Sequence, residues 1–154
     1  MKNLPNRKRT RASWWDYSES ALYFVTICTK EKLHYFGEIS NETMELSNVG
    51  IIADVLWYEI KNHFPQVELD EFVVMPNHLH GIIALEREEK PVSISTIIGG
   101  YKAAVTRHCR RLDLEMAWQS SFHDAIIRNE EMFLKIKEYI RNNPQNWQSD
   151  KFHP

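Results

Sequence analysis

The sequence has little cysteine: only Cys28 and Cys109 stand among its 154 residues. Two cysteines exclude a disulfide scaffold and a four-cysteine zinc site, and they make a reducing, cytoplasmic compartment the default expectation. Long apolar runs are missing too. Charge interrupts each of them well short of the roughly 18 residues a spanning helix requires, so no membrane segment is expected. The opening Met1-Lys2-Asn3-Leu4-Pro5 leads into basic residues with no apolar stretch behind it, which argues against a secretory signal. No internal repeat or low-complexity tract is present. What the chain does have is 43% hydrophobic and 26% charged residues, too apolar for disorder throughout. Its length suits a single domain, able to bury roughly two-thirds of its unfolded surface.

An excess of charge of either sign is also lacking, the net value being −2, but that average hides a division. Residues 1–12 hold Lys2, Arg7, Lys8, Arg9 and Arg11 and no acid, a local charge of +5 that leaves −7 on the rest. The organisation expected is a basic arm over residues 1–20 and one domain over 21–154. Such an arm suits contact with phosphates or an acidic surface, or is simply a solvated terminus.

Along the chain, Leu22-Tyr23-Phe24-Val25-Thr26-Ile27-Cys28 has the β-branched and aromatic content of a buried strand. Residues 33–39 suggest a second strand, weakened by Gly37. Ser47 is placed to cap a helix that Pro65 ends, with Ile51, Ile52, Val55, Leu56 and Ile60 at helical spacing. Residues 69–75 and 78–85 read as strands about the turn Pro76-Asn77. A helix starting at Ser95 or Thr96 should run to about Leu112, at a cost of about 1 kcal/mol for each glycine of Gly99-Gly100 relative to alanine. Residues 118–127 are ambiguous and include at most a short strand. Asn129 is a suitable cap for a last helix that stops before Pro144. The expected fold class is α+β, an antiparallel sheet with helices on one face.

Two clusters bear chemistry. In Met75-Pro76-Asn77-His78-Leu79-His80, residues two apart share a strand face, so His78 and His80 present two imidazoles side by side while Leu79 points to the other layer. That is half a metal site, but His-x-His arises readily by chance in a chain with seven histidines. Three familiar completions fail. Ile82 stands where a binuclear zinc hydrolase needs aspartate and where a histidine-triad hydrolase needs histidine, and Glu86 is too distant for the cupin pattern. The second cluster is Tyr139-Ile140-Arg141-Asn142-Asn143-Pro144. Phe133, Ile136 and Ile140 form its helix's core stripe, and Tyr139 and Asn143, four apart, lie on a neighbouring edge. Taken alone, that tyrosine packs and those asparagines end a helix.

Together, Met-Pro-Asn-His-Leu-His and, some 60 residues later, Tyr-Ile-x-Asn-Asn-Pro resemble the single-tyrosine HUH transposases of the IS200-like superfamily, U being a hydrophobic residue. The likeness is greatest to their REP-associated tyrosine transposases. It extends to the basic opening Arg7-Lys8-Arg9-Thr10-Arg11, the strand Tyr23-Phe24-Val25-Thr26, and the stretches at Trp118-Gln119 and Ile126-Ile127-Arg128.

The resemblance implies a ferredoxin-like core and cleavage and rejoining of single-stranded DNA beside palindromic hairpins through a 5′-phosphotyrosine. It makes His78 and His80 metal ligands, Tyr139 the nucleophile and Asn143 the third ligand, where relatives often carry glutamine. Two imidazoles and an amide oxygen suit Mg²⁺ or Mn²⁺. Tyrosine, with a pKa near 10, is mostly protonated at neutral pH and requires activation. Arg7, Lys8, Arg9 and Arg11 of the arm, with Lys102, Arg107, Arg110 and Arg111 of the second helix, are the candidate DNA contacts. Tyr101 is the rival nucleophile, and Trp14-Trp15 either stack on bases or staple the arm. A monomer acting in cis is favoured. Two other classes remain open: a catalytically idle hairpin-binding regulator, and an unrelated metal hydrolase with a third His, Asp or Glu ligand and no use for Tyr139.

Overall fold

A computed structural model describes residues 20–86 and 92–154, so nearly all of the basic arm, and Trp14-Trp15 with it, lies outside the described residues. The β-branched run around Phe24 forms β1 (Ser20–Cys28), which pairs antiparallel with β5 (His78–Glu86) on one side and with the short β6 (His123–Ile126) on the other. β4 (Val67–Met75) completes a four-stranded sheet in the order β4-β5-β1-β6. The β4–β5 hairpin turns on Pro76-Asn77, with Met75 opposite His78.

Residues 33–39 depart from expectation. A separate hairpin, β2 (Gly37–Ser40) with β3 (Thr43–Leu46), takes their second half. Gly37 starts that strand at φ 141°, and a Cβ there would meet the backbone carbonyl of Glu45, so the glycine serves a close backbone approach rather than weakening a longer strand.

The helices are α1 (Asn48–His63), α2 (Ile94–Arg111) and α3 (Glu130–Arg141). Ser47 caps α1 by accepting from the Gly50 amide at 3.0 Å, and Asn129 caps α3 by accepting from the Met132 amide at 2.8 Å. α2 begins earlier than expected, because Ser93, rather than Ser95 or Thr96, accepts from the Thr96 amide. Gly99-Gly100 thus lies inside the helix, Gly100 facing Phe64.

Helices occupy both faces of the sheet, which corrects the one-face arrangement expected. Strand alternation sorts the core in two. Val25, Ile27, Leu79 and Ile83 meet Ala53, Trp57 and Ile60 of α1 and Ile97, Tyr101 and Val105 of α2. Leu22, Ile82 and Ala84 meet Phe133 and Ile140 of α3. Gly81 admits the Trp57 ring against β5, where a Cβ would collide with it, and Phe72 stacks on that ring at 4.3 Å.

Candidate active site

The second face carries the chemistry. On β5, His78 and His80 alternate with Leu79 and Gly81 and so point towards α3, their ring centroids 4.7 Å apart. Register sets Thr26 of β1 opposite His80, and its Oγ1 lies 2.9 Å from His80 Nδ1. Asn77 is fully buried at the hairpin tip. Its Nδ2 donates to the Phe152 carbonyl at 3.0 Å, which leaves Oδ1 to accept from His78 Nδ1 at 2.8 Å. The proton on Nδ1 follows from that network, so Nε2 of His78 carries a lone pair.

Burial depresses the pKa of His78 to about 3, the Lys151 and Lys32 charges adding to the effect and the neighbouring Asn143 amide opposing it. Burial likewise takes His80 to about 3, helped by His78 and opposed by Asp150. Both rings are therefore neutral at pH 7, the form that binds metal.

α3 supplies the tyrosine. A bulge in β4 between Leu69 and Phe72 lets two consecutive acids, Asp70 and Glu71, both reach this helix. Asp70 pairs with Lys137 at 3.0 Å and Glu71 with Arg141 at 3.1 Å. Fixed between these ion pairs, Tyr139 is 40% exposed, its ring 5.3 Å from His80 and set edge-on to Phe24 at 6.4 Å. Phe24 also stacks on His80 at 5.1 Å. Burial raises the Tyr139 pKa and Asp150 raises it further, against a smaller lowering by Asn143. Asn143 follows the C-cap residue Asn142 and is buried.

Among the described residues, four buried side-chain polar atoms have no hydrogen-bond partner: Trp57 Nε1, His78 Nε2, His80 Nε2 and Asn143 Oδ1. Trp57 belongs to the opposite layer. The other three are the donor atoms of the expected ligand set. Desolvated lone pairs without partners are costly, and a divalent cation would satisfy all three, so these residues fit the group. Among the described residues, no three or more His, Cys, Asp or Glu side chains group as a metal site.

A cavity of about 530 Å³ opens over these groups, lined by Phe24, Thr26, His80, Tyr139, Asn143, Asn146, Ser149, Asp150 and Lys151. Sequence reasoning missed several of them. Phe24 and Thr26 were legible from their two-residue spacing on one strand face, but Asp150 and Lys151 sit in a polar tail without periodicity. A 3-10 turn, Trp147–Ser149, folds that tail back until Phe152 stacks on His78 at 4.2 Å.

The other candidates lie elsewhere. Tyr101 is buried in the opposite layer, its hydroxyl donating to the Ala53 carbonyl at 2.6 Å, so it does not compete with Tyr139. Lys102 donates to the Gln119 carbonyl at 2.9 Å. Arg107 borders a groove between α1 and α2, and Arg111 meets His108 at 3.0 Å. With Arg110 these belong to α2, and none of the four lines the Tyr139 cavity. Arg7, Lys8, Arg9 and Arg11 lie outside the described residues. Among those described, no helix is long and apolar enough to cross a membrane.

The chain is similar to known proteins. Residues 18–143 match the family described as "Transposase IS200 like". An uncharacterised protein of Haemophilus influenzae is 36% identical, with 97% of this chain and 94% of that protein covered. Among solved structures, a REP-associated tyrosine transposase bound to a REP hairpin superposes with a TM-score of 0.66 at 22% identity. That likeness in fold covers 86% of this chain and 72% of the other.

Proposed function

The chain belongs to the IS200-like transposase family, and from that premise we propose that it cleaves and rejoins single-stranded DNA beside imperfect palindromic hairpins, in the manner of the REP-associated branch. One observation carries this reading: three unpartnered donor atoms, on His78, His80 and Asn143, stand beside a half-exposed tyrosine of the same chain. The hairpin substrate follows the solved relative, which is described as bound to one.

His78, His80 and Asn143 would hold Mg²⁺ or Mn²⁺, which supplies electrophilic activation of the scissile phosphate. Tyr139 Oη attacks phosphorus in line. A P–O bond to tyrosine forms as the bond to the 3′ oxygen breaks, giving a 5′-phosphotyrosine and a free 3′-OH. The proton released by the phenol balances the one gained by the departing oxygen. Because the new ester keeps the energy of the old one, a 3′-OH reverses the step without ATP. Phe24, packed edge-on against Tyr139 and face-on against His80, restricts where the phenol can point. The closeness of Tyr139 to its own chain's His80 supports action in cis by a monomer.

The decisive experiment incubates Tyr139→Phe with hairpin DNA carrying single-stranded flanks and Mn²⁺, and looks for a denaturation-resistant adduct. Wild type should form one and the variant none; an adduct that persists removes Tyr139 as nucleophile. His78→Ala and His80→Ala should each abolish cleavage while hairpin binding survives. Hairpin binding by wild type with no covalent product at any metal concentration would instead identify an idle regulator. Phosphate contacts by Arg7, Lys8, Arg9 and Arg11 predict that deleting residues 1–12 weakens hairpin binding and flattens its salt dependence. Alanine at Lys102, Arg107, Arg110 or Arg111 tests the second patch by the same titration.

A further inference from the structure

An amide is two-ended. Only its oxygen has a lone pair to offer a cation, whereas its NH₂ end presents protons, and the two ends have nearly the same shape. A ligand asparagine therefore requires something to choose its orientation, and the three donors here have such partners behind them. His78 Nδ1 is held by Asn77 Oδ1 and His80 Nδ1 by Thr26 Oγ1. Behind Asn143 stands Asp150, whose Oδ2 accepts from Asn143 Nδ2 at 3.1 Å.

We propose that Asp150 is a positioning residue that fixes the Asn143 amide with its oxygen towards the two imidazoles. A carboxylate only accepts, so it pairs with the NH₂ end alone, and a flipped amide would set oxygen against oxygen. The carboxylate is itself held. Its Oδ1 accepts from the Phe152 amide at 2.8 Å, and its backbone N–H donates to the Trp147 carbonyl at 3.0 Å. With one oxygen occupied at each end of this relay, the buried Asn143 Oδ1 is left turned inward without a partner. The charge-assisted bond also polarises the amide and makes its oxygen a better donor. The assignment rests on the reading of Asn143 as a metal ligand.

Mn²⁺ binding to the full-length, DNA-free protein, followed by calorimetry, tests it without recourse to cleavage. Asp150→Ala should weaken Mn²⁺ binding about 10- to 100-fold, the usual effect of losing an outer partner of a ligand. The contrast lies in a second background. Asn143→Asp has two equivalent oxygens and no orientation to choose, and it stands next to the Asp150 charge. There, adding Asp150→Ala should leave Mn²⁺ affinity unchanged or raise it. A comparable loss in both backgrounds would overturn the proposal, since it would mark Asp150 as a direct ligand or a general structural support. An Asp150→Ala affinity within twofold of wild type, with Asn143→Ala weakened, would refute positioning while sparing the ligand assignment. Wild-type affinity in Asn143→Ala would remove the ligand reading and this inference with it. Far-UV circular dichroism and Tm of each variant verify that the fold is kept.

Discussion

Acid should unfold this protein through two histidines, and the size of the effect follows from their burial. His78 and His80 have their pKa depressed from 6.5 to about 3 in the folded chain, chiefly by burial. The unfolded chain therefore takes up two protons near pH 6.5 that the folded chain refuses. Stability is fully present above that pH and is lost as pH falls towards 3. Each group costs about 2 kcal/mol at pH 5 relative to pH 8, so the pair costs about 4 kcal/mol. That is a large share of the roughly 5–15 kcal/mol a domain possesses. Asp54, whose carboxyl is raised by burial, acts with the opposite sign at lower pH, so the comparison stays at pH 5 and above. Urea unfolding at pH 8, 6 and 5, in EDTA to keep metal away, should show the midpoint falling with uptake of about two protons on unfolding. His80→Gln should halve that pH slope, whatever it does to absolute stability. A loss under about 1 kcal/mol between pH 8 and 5, or an undiminished slope in His80→Gln, would refute neutral burial of the pair.

Three further outcomes follow from packing. Gly81→Ala drives a Cβ into the Trp57 ring, which Phe72 prevents from sliding away, and should cost about 1–3 kcal/mol by urea unfolding. Tyr101→Phe deletes a buried hydroxyl bonded to the Ala53 carbonyl and should cost about 1 kcal/mol, while adduct yield on hairpin DNA equals wild type. Lys137→Met removes a cation that pairs with the buried Asp70 carboxylate and should destabilise by about 1–3 kcal/mol. Because that pair fastens α3 to β4, its adduct yield should drop under conditions where the variant is still folded.

Much of this site was legible because it rests on local periodicities. A two-residue period set His78 and His80 on one strand face with Leu79 on the other, and the helical stripe of Phe133, Ile136 and Ile140 fixed which edge of α3 bears Tyr139. Neither period says which side of a sheet a helix will choose. That choice came from matching faces across strands: Leu22 of β1 and Ile82 of β5 form one apolar surface, and among the described residues α3 is the helix that covers it. Gly37 was misread because its role depends on Glu45, eight residues away in a partner strand. Asp150 had no signal at all. Its importance depends on a 3-10 turn that returns the tail to the hairpin tip, where Asn77 donates to the Phe152 carbonyl.

The net effect of the surroundings of Tyr139 is to disfavour its ionisation. Burial holds it as the phenol, the Asp150 carboxylate disfavours the phenolate further, and Asn143 only partly compensates. The same Asp150 carboxylate that accepts from the Asn143 amide thus opposes ionisation of Tyr139. With neutral imidazoles opposite, no cation of the second patch lines the cavity, and among the described residues Lys151 is the one lysine or arginine at its wall. On the proposed reading, the described residues of this site hold Tyr139 as the phenol rather than the phenolate. Ionisation would then wait on added positive charge, and among the described residues the unused lone pairs of His78, His80 and Asn143 are where it would be held. Coupling the reactive state to occupancy would keep the proposed nucleophile inert on DNA it merely encounters. It also explains why the half-exposed phenol and the buried donors belong on the same side of one sheet.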